Sequence, residues 1–249
     1  MTPTERFPSF TFFFPAWNEE AIIERTVAAA HEAGRALVAE GEIEDYDVLV
    51  VDDCSTDRTG EILDGLAAAD PRVRVIHHDR NRKLGGTLKT GFAAAEGAVV
   101  LYTDADLPFD LLDVVKAMRL LRLYEADIVS AYRHDRTGEG LRRIVYSYAY
   151  NTMVNTLFKL RLRDVNFAFK LVRRDVLRST PLQSEGSFID VELLCRAKAA
   201  GATVIQFGVD YFPRTRGVST LSSFGVIRTI LSELRTLYPE LRPLTRTRT

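Results

Sequence analysis

Short β-branched or aromatic runs alternate with longer helical patterns through the first half of the chain. Phe10 to Phe14 predicts a strand, followed by a helix from about Glu19 to Val38. Asp47 to Val51 predicts a second strand, then a helix from about Thr59 to Ala68. Val73 to His77 and Val99 to Thr103 predict two more, with a helix from about Thr87 to Glu96 between them. A helix from about Leu111 to Tyr124 and a strand from Ile128 to Ala131 complete this half. Strands separated by helices of this length imply βαβ units and a mainly parallel sheet. In such sheets ligands bind beyond the carboxyl ends of the strands, so chemistry is sought just after each run.

The second half changes character. Residues 133 to 143 carry four arginines, Arg133, Arg136, Arg142 and Arg143, against two acids. Tyr146, Tyr150, Met153, Leu157 and Leu160 then recur in steps of four and three, an apolar helical stripe. Phe167 to Val172 reads as a strand, Ile189 to Ala200 as a helix, Thr203 to Val209 as a strand and Phe224 to Tyr238 as a last helix. No linker or repeat divides the 249 residues, which predicts one domain over 1–249. Within it the pattern distinguishes a half at about 8–131, a half at about 132–240 and a loose basic tail at 241–249.

A net charge of −1 gives no basic excess for binding nucleic acid. Cys54 and Cys195 lie far apart without a CxxC spacing, which points to a reduced, cytoplasmic protein. The first residues, polar before a short apolar run, do not read as a secretory signal. No stretch reaches the roughly 18 to 20 apolar residues of a spanning helix. The expected setting is the cytoplasm, with contact at the inner face of the membrane at most.

Three strand ends carry acids. Pro15, Trp17 and Glu19 follow the first strand, Asp52 and Asp53 the second, and Asp104-Ala105-Asp106 the fourth. Carboxylates two apart at a strand end face the same way and can grip one hard cation, Mg2+ or Mn2+, that bridges to diphosphate oxygens. The plainer alternative makes Asp106 a helix cap and Asp104 an exposed turn residue. At the second strand end Ser55, Thr56 or Asp57 suits the helix cap, which leaves Asp53 for a base or ribose edge. Lys83 to Gly91 holds adjacent glycines that would let backbone approach a ligand ahead of a helix N-terminus, or else form a turn with a solvated lysine. It is neither a Walker A loop nor a dinucleotide fingerprint.

Taken in order, Phe-Pro-Ala-Trp-Asn-Glu-Glu (14–20), Val-Val-Asp-Asp-Cys-Ser-Thr-Asp-Arg-Thr (50–59), Lys-Leu-Gly-Gly-Thr-Leu-Lys-Thr-Gly (83–91) and Thr-Asp-Ala-Asp-Leu (103–107) resemble the family 2 glycosyltransferases. These are inverting enzymes with the GT-A nucleotide-diphospho-sugar transferase fold. Within the family the chain is similar to the dolichyl- and polyprenyl-phosphate mannosyl- or glucosyltransferase branch. The resemblance implies an α/β GT-A fold with a mainly parallel central sheet flanked by helices. It implies donor contacts from Pro15, Trp17, Glu19, Val51, Asp53, Asp104, Ala105, Asp106 and Arg214, and a metal on Asp104 and Asp106; the glycine-rich segment adds Lys83 and Gly86 as expected donor contacts. Arg133, with Arg142 and Arg143, would gather an anionic acceptor. Thr220 stands where lipid-phosphate enzymes usually carry lysine.

The function this implies is metal-dependent, inverting transfer of a hexose from GDP-mannose or UDP-glucose to a polyprenyl or dolichyl phosphate. Asp106 is the catalytic metal ligand, and Asp190 the candidate general base should the acceptor be a hydroxyl. Asp190 could equally be the far half of a capping box with Ser187, and Glu192 has Arg196 four residues on as an ion-pair partner. A glycan or small-metabolite hydroxyl is the alternative acceptor. A catalytically silent nucleotide-sugar-binding protein is the alternative class, and the donor base, the sugar and the oligomeric state stay open.

Overall fold

The computed structural model of the chain describes residues 6–134, 141–212 and 224–246, the side chains of 141–143, 224–229, 231 and 245–246 excepted. Its strands are β1 (Phe10–Ala16), β2 (Tyr46–Asp52), β3 (Val73–His77), β4 (Val99–Thr103), β5 (Ile128–Arg133), β6 (Phe169–Arg173) and β7 (Val204–Val209). The helices are α1 (Ile23–Ala39), α2 (Thr59–Ala69), α3 (Lys83–Ala94), α4 (Asp113–Leu123), α5 (Leu141–Phe158), α6 (Arg174–Ser179), α7 (Ile189–Ala199) and α8 (Phe224–Arg246). One seven-stranded sheet runs in the order β3-β2-β1-β4-β6-β5-β7. Only β6 is antiparallel to its neighbours, β4 and β5.

The β1 sequence shows why the sheet is covered on both faces. Successive side chains point to opposite faces. Phe10, Phe12 and Phe14 enter the core layer under α1 and α4, while Phe13 enters the layer that holds Leu88, Phe92 and Tyr102. All four phenylalanines are fully buried. A strand hydrophobic on both faces belongs at the centre of a helix-covered parallel sheet.

The strand order places the site. Both β2 and β4 pair with β1, so the chain winds outward in opposite directions from it. Open α/β sheets bind ligands at such a reversal, here at the carboxyl ends of β1 and β4. Trp17 and Asp104 are the first residues beyond those two strands, and Asp53 and His78 the first beyond β2 and β3.

Two expectations need correction. The chain enters α3 at Lys83, not near Thr87, because Lys83 takes a left-handed backbone (φ 59°) and turns straight into the helix. The stripe predicted from Tyr146 to Leu160 is not uniformly core. Tyr146 is exposed, and Val154 and Phe158 make the fully buried contacts of α5. The short helix α6 was not predicted.

Candidate active site

The loops after β1 and β2 are laced together by short polar side chains. Asn18 donates its backbone N–H to Ser55 Oγ at 2.9 Å, and Thr56 returns one to Asn18 Oδ1 at 2.7 Å. Glu19 N–H reaches Thr59 Oγ1 at 2.8 Å, and Arg58 N–H reaches Glu20 Oε2 at 3.0 Å. Asn18 and Cys54 both adopt left-handed φ. The lacing builds a rigid shelf from which Trp17, the one tryptophan, stands half exposed. Pro15 lies opposite Val51 in the β1–β2 register, and Val51 is fully buried beneath the shelf.

Neighbouring Asp52 and Asp53 have separate duties. Asp52 accepts from Ser55 N–H at 3.1 Å and faces His77 Nδ1 at 2.9 Å, so it holds the turn and the end of β3. Asp53 is buried, and its Oδ1 accepts from Arg82 N–H and lies 2.7 Å from His78 Nδ1. Ahead of α2, whose N-cap is Arg58 without a side-chain cap, Asp57 Oδ1 takes Thr59 N–H at 3.0 Å.

Asp104 and Asp106 straddle Ala105, whose carbonyl is gripped by Thr26 Oγ1 of α1 at 2.5 Å. Ala105 is buried, both acids are half-buried, and Leu107 turns with φ 42°. The pair offers carboxylate oxygen only, the donor set of a hard divalent cation that keeps positions for water and phosphate oxygens. Held by the anchored Ala105, the residues fit Mg2+ or Mn2+. No cluster of three or more His, Cys, Asp or Glu suited to a metal occurs among the described residues.

The glycines after β3 turn out to serve packing. A Cβ on Gly85 would overlap the Ser184 and Glu185 backbone, and one on Gly86 would lie 2.5 Å from Arg82 Cβ. Gly85 N–H donates to Glu185 O at 3.0 Å, so α3 is docked on the 184–186 loop. The Lys83 side chain is exposed at the start of α3.

In the second half, Asp190 is buried and ion-paired with the fully buried Lys170, Nζ to Oδ1 2.7 Å. Burial pushes its carboxyl pKa upward, and Lys170 pulls against that. The Lys170 ammonium also donates to Phe167 O at 2.9 Å and lies over the Tyr102 ring. Burial, aided by Asp190 and Asp104, lifts the Tyr102 phenol well above its usual range. The lysine was missed in the sequence because nothing in Phe-Lys-Leu-Val-Arg marks its partner twenty residues on. Glu192, also fully buried, accepts from Arg196 Nε and from the N–H groups of Gln183 and Ser184. Phe188 occupies the N-cap of α7 with no side-chain cap, so Ser187 and Asp190 form no capping box.

Arg133 ends β5 with a two-pronged grip on Asp164, 2.7 Å from Nε to Oδ2 and 2.7 Å from Nη2 to Oδ1. Its guanidinium lies over the rings of Phe167 and Tyr211. Arg142 and Arg143 fall in the first turn of α5, and Arg214 and Thr220 lie outside the described residues.

Residues 11–180 match the protein-family model described as glycosyl transferase family 2. Glycosyltransferase AglD of Haloferax volcanii is 34% identical over 85% of this chain and 36% of its own length. Undecaprenyl-phosphate mannosyltransferase of Micrococcus luteus is 29% identical over 84% of this chain and 85% of its own. Polyprenol monophosphomannose synthase of Mycolicibacterium smegmatis is 30% identical over 90% and 84%. The chain thus spans about a third of AglD and most of the other two. Among solved structures, glucosyl-3-phosphoglycerate synthase of Mycobacterium tuberculosis with UDP superposes with a TM-score of 0.65 at 23% identity, over 90% of this chain and 79% of that one. Its complex with Mn2+, UDP and glucosyl-3-phosphoglycerate gives 0.66 at 22%, with the same coverage. The shared fold is GT-A.

Proposed function

The chain belongs to glycosyl transferase family 2, and from that membership we propose that it transfers a hexose from a nucleoside-diphosphate sugar to a polyprenyl phosphate. The nucleoside lies on the shelf against Pro15, Trp17, Glu19 and Asp53, with Val51 supporting it from beneath, and Lys83 at the start of α3 flanks the diphosphate. Asp104 and Asp106 hold Mg2+ or Mn2+, which when bound neutralises charge on the departing diphosphate. The acceptor oxygen attacks the anomeric carbon opposite the leaving group, with inversion. GDP-mannose and UDP-glucose are the donors to test. Arg142, Arg143 and Arg214 supply further positive charge, with Arg133 held at the wall by Asp164.

One observation favours a phosphate acceptor over a hydroxyl. The two acids that could serve as general base are engaged, Asp190 with Lys170 and Glu192 with Arg196 and two backbone N–H groups. A hydroxyl must lose its proton as it attacks, whereas a phosphate monoester arrives ionised at neutral pH. Two of the named relatives above act, by name, on polyprenyl carriers, which supports the same reading. No helix among the described residues is long and apolar enough to cross a membrane. A polyprenyl phosphate keeps its charged head at the lipid–water boundary, so the acceptor is met at the membrane surface.

The test is transfer of labelled sugar from GDP-mannose or UDP-glucose to polyprenyl phosphate in vesicles, with Mg2+, Mn2+ or EDTA. One donor should yield lipid-extractable label that EDTA abolishes, and Asp106→Ala should lower the rate at least about a hundredfold. Label passing only to water-soluble acceptors would favour the hydroxyl reading. Nucleotide binding without transfer to either would leave a silent binding protein.

A further inference from the structure

His78 stands between the nucleotide shelf and α3. Its side chain is buried, 3% exposed, and both ring nitrogens are engaged. Nδ1 lies 2.7 Å from Asp53 Oδ1, and Nε2 lies 2.9 Å from Thr90 Oγ1. A carboxylate oxygen only accepts, so Nδ1 carries the hydrogen of the first contact. Thr90 Oγ1 in turn lies 3.2 Å from Gly86 O, one turn back along α3. A polar chain thus runs Asp53–His78–Thr90–Gly86, from the end of β2 to the first turn of α3.

The consequence falls on Asp53. Among the described residues, both hydrogen bonds to its side chain reach Oδ1, from His78 and from Arg82 N–H. With that oxygen filled, Oδ2 is left for the nucleoside, and it can only accept. The group it takes is therefore an N–H of the base or a hydroxyl of the ribose. We propose that His78 is a positioning residue for donor recognition, fixing Asp53 so that Oδ2 receives a hydrogen-bond donor of the nucleoside. This rests on the reading of Asp53 as a nucleoside contact given above.

Two isosteric substitutions separate this role from mere packing. The amide nitrogen of asparagine overlays Nδ1 of histidine, and that of glutamine overlays Nε2. His78→Asn keeps the hydrogen bond to Asp53 and loses Thr90, and His78→Gln does the reverse. Titration calorimetry with GDP and with UDP, each with Mg2+, reads the effect, with melting temperature recorded for all three proteins. For whichever nucleotide binds the natural protein, His78→Gln should weaken binding about tenfold or more, as expected for loss of a hydrogen bond to a charged group. His78→Asn should stay within about threefold. The sugar-transfer KM should follow the same order while kcat at saturating donor stays close to the natural value. Equal losses in the two folded variants, or no loss in His78→Gln, would overturn the role of His78 while leaving the donor reading intact. Failure of the natural protein to bind either nucleotide would overturn the donor reading and this inference with it.

Discussion

Lys170 and Asp190 set the residue scale, because both are buried and their charged atoms lie 2.7 Å apart. Breaking a buried pair on one side strands the other charge, which costs about 3–5 kcal/mol. Replacing both partners by apolar residues of like volume is often neutral or stabilising. Urea denaturation should therefore show Asp190→Ala less stable by about 3–5 kcal/mol, and Lys170→Met/Asp190→Leu close to the natural protein. A double variant as unstable as the single one would mean that further buried groups depend on these charges. Asp190 was legible in the sequence as an acid of interest, yet its partner was not. A lysine within an apolar strand gives no sign of its partner until the sheet order shows that β6 is inserted between β4 and β5.

At the scale of elements, the joint between β2 and β3 is made by two adjacent histidines facing two adjacent aspartates. His77 meets Asp52 at 2.9 Å and Asp64 of α2 at 3.0 Å. Partial burial pulls the His77 pKa down, but the hydrogen bonds and charges of Asp52 and Asp64 outweigh it, so the net shift is upward. A group with a raised folded-state pKa contributes stability in full below its unfolded value, about 6.5. That contribution fades as pH rises through the folded-state value. Melting curves of the natural protein and His77→Gln should accordingly differ more at pH 5.5 than at pH 8.5. An unchanging gap would show that the contacts act without the charge. The aspartate partners of His77 and His78 were invisible in the sequence because β2 and β3 meet only in the fold. The glycines of α3 carry a constraint that spacing did not reveal. The fold requires close packing there, Gly85 on the 184–186 loop and Gly91 on the Phe13 ring.

The whole molecule is ruled by its sheet. The βαβ rhythm of residues 10 to 131 could be read because each parallel unit is local, with its crossover helix written between its strands. The reversal at β6 could not, since a strand's direction depends on where the preceding helix delivers the chain. That reversal bears on whether the donor and acceptor halves are separable. The boundary near residue 131 falls at the end of β5, whose partners β6 and β7 both come from the second half. β6 also pairs along the whole of β4, the strand that carries Asp104 and Asp106 at its end. Neither half can therefore unfold without leaving the other a row of unpaired backbone groups and an uncovered apolar face. The chain should unfold in urea as one cooperative unit. Trp17 fluorescence reports the donor half, and far-UV circular dichroism reports every helix. If the sheet couples the halves, the two curves share one midpoint. If the acceptor half comes apart first, circular dichroism falls while Trp17 keeps its native signal, and the halves are separate domains in spite of their common sheet.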